Sequence, residues 1–429
     1  MSAGGTNPAA PVTDGSEAVR TSVWRVADFR RLWIGESLSV AGQNLGTLAI
    51  PVIAVVLLHA SAQQVGLLTA AQLLAFLVIG LPVGVWVDRL RKRHVMMAAD
   101  AVRAAALLTI PLAWTVGALH IWQLYVVALV VGCGSVFFDV SYQSIVPELV
   151  EPQHVAPANG HLQASAQVAR VGGPALSGLL LTVVRAPFLL VATALGYLAS
   201  LIAVATIRGE RPPVVRAERR SLIAEVGEGL RFVFGDDLLR RITINSGVVN
   251  LGLGTVTTLV SLFILRHLGF SPAVYGLVQG IGAGGGILGA LAAPWLTRWF
   301  GEGPIIVWGE VLVSCSAVIF LLAAAIPKLA VPLLVVGYFG WSFGAVNYNI
   351  AQLSFRQRLC PPELLGRMNA SIRFVIYGVS PIASTIAGLL GGSIGLLPTM
   401  WGGLVVAAVG TFAVLFFSPI RTMRNLPRE

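Results

Sequence analysis

The sequence predicts an all-α polytopic membrane protein with twelve transmembrane helices in two pseudo-symmetric six-helix bundles. Three observations carry that expectation. The 429 residues are 56% hydrophobic and only 11% charged, with a mean hydropathy of +0.82. A soluble domain carries roughly 25% charged residues, so this chain has too few polar side chains to clothe itself in water. Its apolar residues fall into twelve segments near the length of about 20 residues that a bilayer-crossing helix needs. Its Lys and Arg residues, finally, crowd into one set of connecting loops.

Residues 1–28 open with MSAGGTNPAAPVTDGSEAVR, a polar stretch without the apolar region of a signal peptide, and read as a disordered cytoplasmic tail. Six spans follow within residues 29–207, beginning near Trp33, Val65, Val95, His120, His161 and Pro187. Residues 208–241 form a polar cytoplasmic linker. Within it, SLIAEVGEGLRFVF places Leu222, Ile223, Val226, Leu230 and Val233 on one face of a short amphipathic helix, expected to brace the two halves. Six more spans occupy residues 242–419, from starts near Thr243, Val274, Pro304, Ala330, Asn369 and Gly395, and residues 420–429 form a second tail.

The charges orient these spans. Of 29 Lys and Arg residues, 23 fall in the tails, the linker and the loops on their side of the membrane, and only Arg185, Arg266 and Lys328 fall in the opposite loops. Positive-inside asymmetry therefore puts both termini in the cytoplasm of a cell with this protein in its inner or plasma membrane. Trp114, Trp122 and Trp299 stand near span ends, as an interfacial belt requires.

The halves echo one another at an offset of 210 residues: Ser61 and Val65-Gly66-Leu67 match Ser271 and Tyr275-Gly276-Leu277, while Asn159 and Gly178-Leu179-Leu180 match Asn369 and Gly388-Leu389-Leu390. A parallel repeat of two six-helix halves is how transporters build a midplane site that rocks between two sides.

Between spans 2 and 3 stands GVWVDRLRKRH, in which Gly84, Asp88, Arg89, Arg91, Lys92 and Arg93 resemble G-x-x-x-D-R-x-G-R-R, with Arg91 in place of the second glycine. On this signature the chain resembles the major facilitator superfamily. FRRLWIGESLS, LPVGVWVDRL, FFDV and ARVGGPALSG make it similar to the proton-coupled efflux branch that includes macrolide and siderophore exporters. The likeness runs from about Phe29 to Pro419. It implies that Asp88 belongs to a charge network latching the halves together while the site faces outward. An acid at the membrane edge needs a partner: Arg89, a helix start, or Arg373 in span 11. Gly84 permits close helix approach, and Arg91, Lys92 and Arg93 fix topology and meet anionic headgroups. Asp100 and Arg103 share a helix face and read as a pair supporting the latch. The resemblance also implies that Gly173, Pro174 and Gly178 form a helix-5 packing motif associated with export, although Ala169 and Leu179 stand where that motif has its outer glycines.

Ionisable residues at membrane depth are costly and are functional candidates by default. Glu36 in span 1 and Asp139 in span 4 are the expected proton-coupling acids, with Arg170 in span 5 as counter-charge. Competing readings pair Glu36 with Arg30 or Arg31 and leave Asp139 as a helix-end acid facing water. Glu310 reads as a structural counterpart to Arg298. Gln43, Asn44, Phe138, Asn250, Tyr338, Trp341 and Asn347 are candidate cavity residues.

Several classes fall away. GIGAGGG, from Gly280, lies inside an apolar span and not in the strand–helix setting of a dinucleotide site. The only lysines, Lys92 and Lys328, do not follow a glycine, so no nucleotide-binding P-loop exists. The six histidines are scattered, and Cys133, Cys315 and Cys360 have no metal or disulfide spacing. No metal or cofactor is expected, nor an enzyme activity. The net charge of +10 follows membrane topology and not a nucleic-acid face. The expected protein is a monomeric secondary transporter that exports a small, mostly apolar or amphipathic molecule in exchange for protons. The alternatives are a proton-independent facilitator or importer of a polar metabolite, and a transport-inactive scaffold or sensor.

Overall fold

The structure, a computed structural model, describes residues 23–209, 222–361 and 364–423. Twelve long helices run through it: α1 (Ala27–Leu57), α2 (Ala62–Arg89), α3 (Lys92–Thr115), α4 (Ile121–Leu149), α5 (Val155–Leu180), α6 (Ala186–Ala205), α7 (Asp237–His267), α8 (Pro272–Phe300), α9 (Glu302–Leu321), α10 (Ala330–Leu359), α11 (Leu365–Ser393) and α12 (Leu396–Val409, continued by a π-helical turn over Gly410–Phe416). Ten of them carry an apolar stretch long enough to cross a bilayer. Of the other two, α5 is interrupted by polar residues such as Gln163, Gln167 and Arg170, and several side chains of α11 lie outside the described residues. Among the described residues there is no strand. Apolar side chains including Leu112, Val168, Leu291 and Phe417 face outward, and that is stable only in lipid.

The last residues of the expected tail, from Val23 on, are among the described residues. Val23 is already buried, and Asp28 binds both the Arg31 guanidinium at 2.7 Å and the Gly209 amide at 2.8 Å, tying the start of α1 to the end of α6. The linker helix, Leu222–Gly235, is present. Its Val233 packs with Leu239, Met368 and Ile372. Its described residues thus rest on α7 and α11 of the second half, and the side chains of Leu222, Ile223 and Val226, the rest of the expected bracing face, lie outside the described residues.

The 210-residue repeat is physical. The π-helical turn Ile53–Leu57 recurs as Phe263–His267, and left-handed backbone follows each at His59 (φ 49°) and Gly269 (φ 70°). Ser61 and Ser271 then cap α2 and α8, their hydroxyls accepting from the Gln64 and Val274 amides at 3.2 and 3.4 Å. At the ends nearer the termini, Lys92 of α3 pairs with Glu148 of α4, and at the same offset Glu302 of α9 pairs with Arg358 of α10, with the charges exchanged.

The two halves meet on the side away from the termini. A Cβ on Gly66 of α2 would lie 2.6 Å from the Gly388 Cα of α11, and one on Gly276 of α8 would lie 2.5 Å from the Gly178 Cα of α5. These are the same contact in two copies, and only glycine lets the backbones approach so closely. Arg266, at the end of α7, adds a third tie by donating to the Ala60 carbonyl at 2.8 Å and the Val55 carbonyl at 2.9 Å.

Candidate functional site

Each half holds a buried polar cluster beside a cavity. In the first half the cluster centres on Arg103 of α3, which is 2% exposed and ion-paired with Asp100. Its guanidinium is 3.4 Å from the Ser135 hydroxyl and lies 4.5 and 4.1 Å from the ring centroids of Phe138 and Tyr197. Gly134 makes room for it: a Cβ there would stand 2.7 Å from the Arg103 Cγ. Two aromatic faces and a carboxylate hold the cation where water cannot.

Glu36 of α1 and Asp139 of α4 both lie within reach of this cation's charge. Glu36 has a buried oxygen, Oε2, without a hydrogen-bond partner, and the charges acting on it are those of Asp139, Arg103 and Asp100. The charges of Arg103 and of Arg170, the expected counter-charge, both act on Asp139; Arg170 is exposed on α5, whereas Arg103 is buried. The expected Asp100–Arg103 pair forms, more than two turns beyond the loop and packed among Ser135, Phe138 and Tyr197; the side chains of Asp88 and Arg373, the latch it was expected to support, lie outside the described residues. Arg30 and Arg31 bind the Trp24 carbonyl and Asp28, not Glu36.

Asp139 lines a cavity of about 310 Å³ with Gln43, Gln72, Ser135, Thr193 and Tyr197. A second cavity, of about 400 Å³, is lined by Ser246, Asn250, Glu310, Trp341, Tyr348, Asn349 and Gln352 of the second half and by Thr69 and Leu73 of the first. Leu73 borders both. The Tyr348 hydroxyl is 2.8 Å from the Ser246 hydroxyl.

Of the expected cavity residues, Gln43, Asn250 and Trp341 line these spaces. The others do not. Asn44 packs against Gly173 and donates to the Val40 carbonyl at 2.7 Å. Phe138 is buried under Arg103. Tyr338 lies against Gly282, its ring 6.3 Å from that of Trp341. Asn347 faces an apolar groove of about 230 Å³ between α8, α9 and α10, one residue out of register with the cavity-lining Tyr348. A single-residue step turns a helical side chain by about 100°, and composition alone does not fix that phase. Gly173 and Gly178 of the helix-5 motif are close-packing positions, the first within a half and the second between halves. Pro174 sits inside α5, its carbonyl 2.6 Å from where a Gly276 Cβ would stand.

In the loop, Arg89 and Arg91 are exposed, whereas Lys92 binds Glu148 and Arg93 donates to the Ala205 carbonyl. Two of the three basic residues expected at lipid headgroups thus hold protein groups. Gly84 and Asp88 are in α2 and Arg373 is in α11, but their side chains lie outside the described residues. Glu310, expected to be a structural counterpart to Arg298, has a different setting. Arg298 is exposed, while Glu310 is 4% exposed on the second cavity, so the two are not counterparts. Applying the 210-residue offset to Asp100 leads directly to Glu310.

Comparison with known proteins agrees with this architecture. Residues 32–385 match the Major Facilitator Superfamily. The multidrug efflux pump Tap of Mycobacterium tuberculosis is 27% identical over 402 residues, covering 89% of this chain and 93% of that protein. Macrolide efflux protein A of Streptococcus pyogenes is 22% identical over 391 residues, covering 87% and 91%. Among solved structures, the nucleoside transporter NupG superposes with a TM-score of 0.71 at 14% identity, covering 91% of this chain and 99% of its own. A bacterial homologue of the iron transporter ferroportin matches in its inward-facing state with a TM-score of 0.74 at 16% identity, covering 92% and 98%. In its outward-facing state the score falls to 0.56 at 17% identity, covering 91% and 98%.

Proposed function

The chain belongs to the major facilitator superfamily, a multi-pass membrane transporter, and from that premise we propose that it exports a small, mostly apolar or amphipathic molecule from the cytoplasm in exchange for protons. The observation that carries the proposal is the shared cluster of Glu36, Asp139 and Arg103 beside a cavity. The charge of one buried cation reaches both acids, so a proton gained or lost at either acid changes the charge balance of the other. A group of this kind, able to hold a proton or release it without exposing a bare charge to lipid, is what coupling at membrane depth needs.

The efflux pumps among the relatives support export. The positive-inside charge pattern supports cytoplasmic termini, and with that orientation the glycine crossings and Arg266 close the outer side. The better superposition on an inward-facing neighbour supports the same state. Substrate would then enter from the cytoplasm, and alternating access would follow from rocking of the halves about the crossings.

Purified protein in liposomes with an internal pH-sensitive dye tests this directly. Lipophilic cations, macrolides and siderophores are added in turn under an imposed proton gradient. Substrate-triggered proton flux is expected, and loss of it in Glu36→Gln or Asp139→Asn. Substrate movement with no proton flux would replace antiport with facilitation. No movement of any compound would favour a scaffold or sensor.

A further inference from the structure

The pseudo-symmetry compares one position in two settings. Asp100 in α3 and Glu310 in α9 are related by the 210-residue offset, as are the helix starts Lys92 and Glu302. Asp100 is held by Arg103, one turn further along its helix. The residue related to Arg103 is Val313, which lines the second cavity beside Glu310. Here the second half keeps the acid and loses its built-in cation, and open space adjoins the carboxyl. Among the described residues no ion pair reaches Glu310. Arg356, two turns beyond Tyr348 on α10, is engaged in contacts of its own.

We infer that this second cavity binds the charged group of an amphipathic organic cation, with Glu310 as its counter-charge, so that the guest plays toward Glu310 the role Arg103 plays toward Asp100. The inference rests on the export reading for its biological meaning and on the cavity for its chemistry. A neutral side chain would satisfy a merely structural position at lower cost, since a carboxylate at membrane depth is stabilised only by a proton or a cation. Trp341 and Tyr348 supply aromatic surface to the same cavity, which favours a cationic guest over a neutral one of equal shape. Around Arg103 the first half uses the same arrangement, a carboxylate with two aromatic faces. The volume, about 400 Å³, falls in the range of roughly 300–1,000 Å³ typical of small-molecule sites. Thr69 and Leu73 bring the first half to the wall, so a guest seated here touches both moving parts.

The test measures equilibrium binding to the purified full chain in lipid nanodiscs, without a proton gradient, by isothermal titration. The probes are tetraphenylphosphonium and the uncharged triphenylphosphine oxide. The cation is expected to bind roughly tenfold more tightly than the neutral compound, with that ratio collapsing toward one in Glu310→Gln and persisting in Glu310→Asp. Thermal unfolding of each variant reports whether it is folded. If Glu310→Gln does not fold, Trp341→Leu takes its place and is expected to reduce the ratio several-fold. An unchanged ratio in a folded Glu310→Gln, or no preference for the cation in the parent protein, would overturn the inference. Because binding is read without a gradient, an absence of proton flux would sink the export reading and leave this result standing.

Discussion

Arg103 shows what a single residue organises here. Buried between Phe138 and Tyr197 and paired with Asp100, it carries a charge that reaches both acids proposed to carry protons. Removing one partner of a buried ion pair leaves an uncompensated charge and costs on the order of 3–5 kcal/mol. Arg103→Leu is therefore expected to lower thermal stability in detergent by about that amount. The double variant Asp100→Asn with Arg103→Leu should recover a substantial part, since no bare carboxylate is then left beside it. Both variants should lack substrate-triggered proton flux, because Glu36 and Asp139 lose their common counter-charge either way. A double variant no more stable than Arg103→Leu alone would show that the cation's packing, and not its pairing, holds the site. The sequence made the pair visible, since residues three apart share a helix face. Its direction was not visible. Nothing in the local pattern says that Gly134 of another helix leaves room for the guanidinium, or that Tyr197, almost a hundred residues away, lies over it.

At the scale of helices, the repeat was legible as a few Gly and Leu matches, and those glycines prove to be the inter-half crossings. Because Gly66 against Gly388 and Gly276 against Gly178 are equivalent contacts, Gly66→Val and Gly276→Val are expected to prevent outer closure to a similar extent. Labelling of an engineered cysteine on the outer face of the cavity would rise in both, and a response in only one would mean that the crossings carry unequal load. The paired ends of α3 with α4 and of α9 with α10 make a second prediction. Lys92→Glu alone sets two acids together and should reduce the yield of folded protein. Adding Glu148→Arg should restore it, since the second half already uses that polarity with Glu302 and Arg358. Size-exclusion profiles of the expressed variants report the yield. Hydropathy reveals span lengths and the loops that join them. It does not reveal which loop-end charges will find each other, because that depends on helix ends remote in sequence, and so Lys92 read as a headgroup contact. The same limit gave Glu310 the wrong partner, Arg298: comparison with Asp100 shows that its helix carries no cation at the place of Arg103.

For the molecule as a whole, alternating access requires the outer seam to be firm enough to seal and weak enough to open. The glycine crossings are symmetric, but Arg266 is not. The position related to it is Val56, so one half holds the other through two donated hydrogen bonds that have no counterpart across the pseudo-two-fold axis. The Val55 carbonyl lies within the π-helical turn at the end of α1, where the hydrogen-bonding pattern leaves it open to an outside donor. Hydrogen bonds to a charged group contribute about 1.5–3 kcal/mol each in a buried setting. Arg266 is largely exposed, so about 1.5 kcal/mol for the pair is the reasonable scale, or roughly a tenfold shift between closed and open seams. The seam can be read by cross-linking. A Cβ on Gly391 would lie 3.0 Å from the Ala62 Cβ across it, close to the separation a disulfide spans. In a background lacking the three native cysteines, Ala62→Cys with Gly391→Cys should oxidise readily, and Arg266→Gln should slow that reaction several-fold. Arg266→Lys should fall between, because an ammonium lacks the planar fork that reaches both carbonyls at once. Oxidation at the parent rate in Arg266→Gln would assign closure to the glycine crossings alone. A slowed reaction would mean that the two halves, so alike in backbone, are locked by a contact that only one of them supplies.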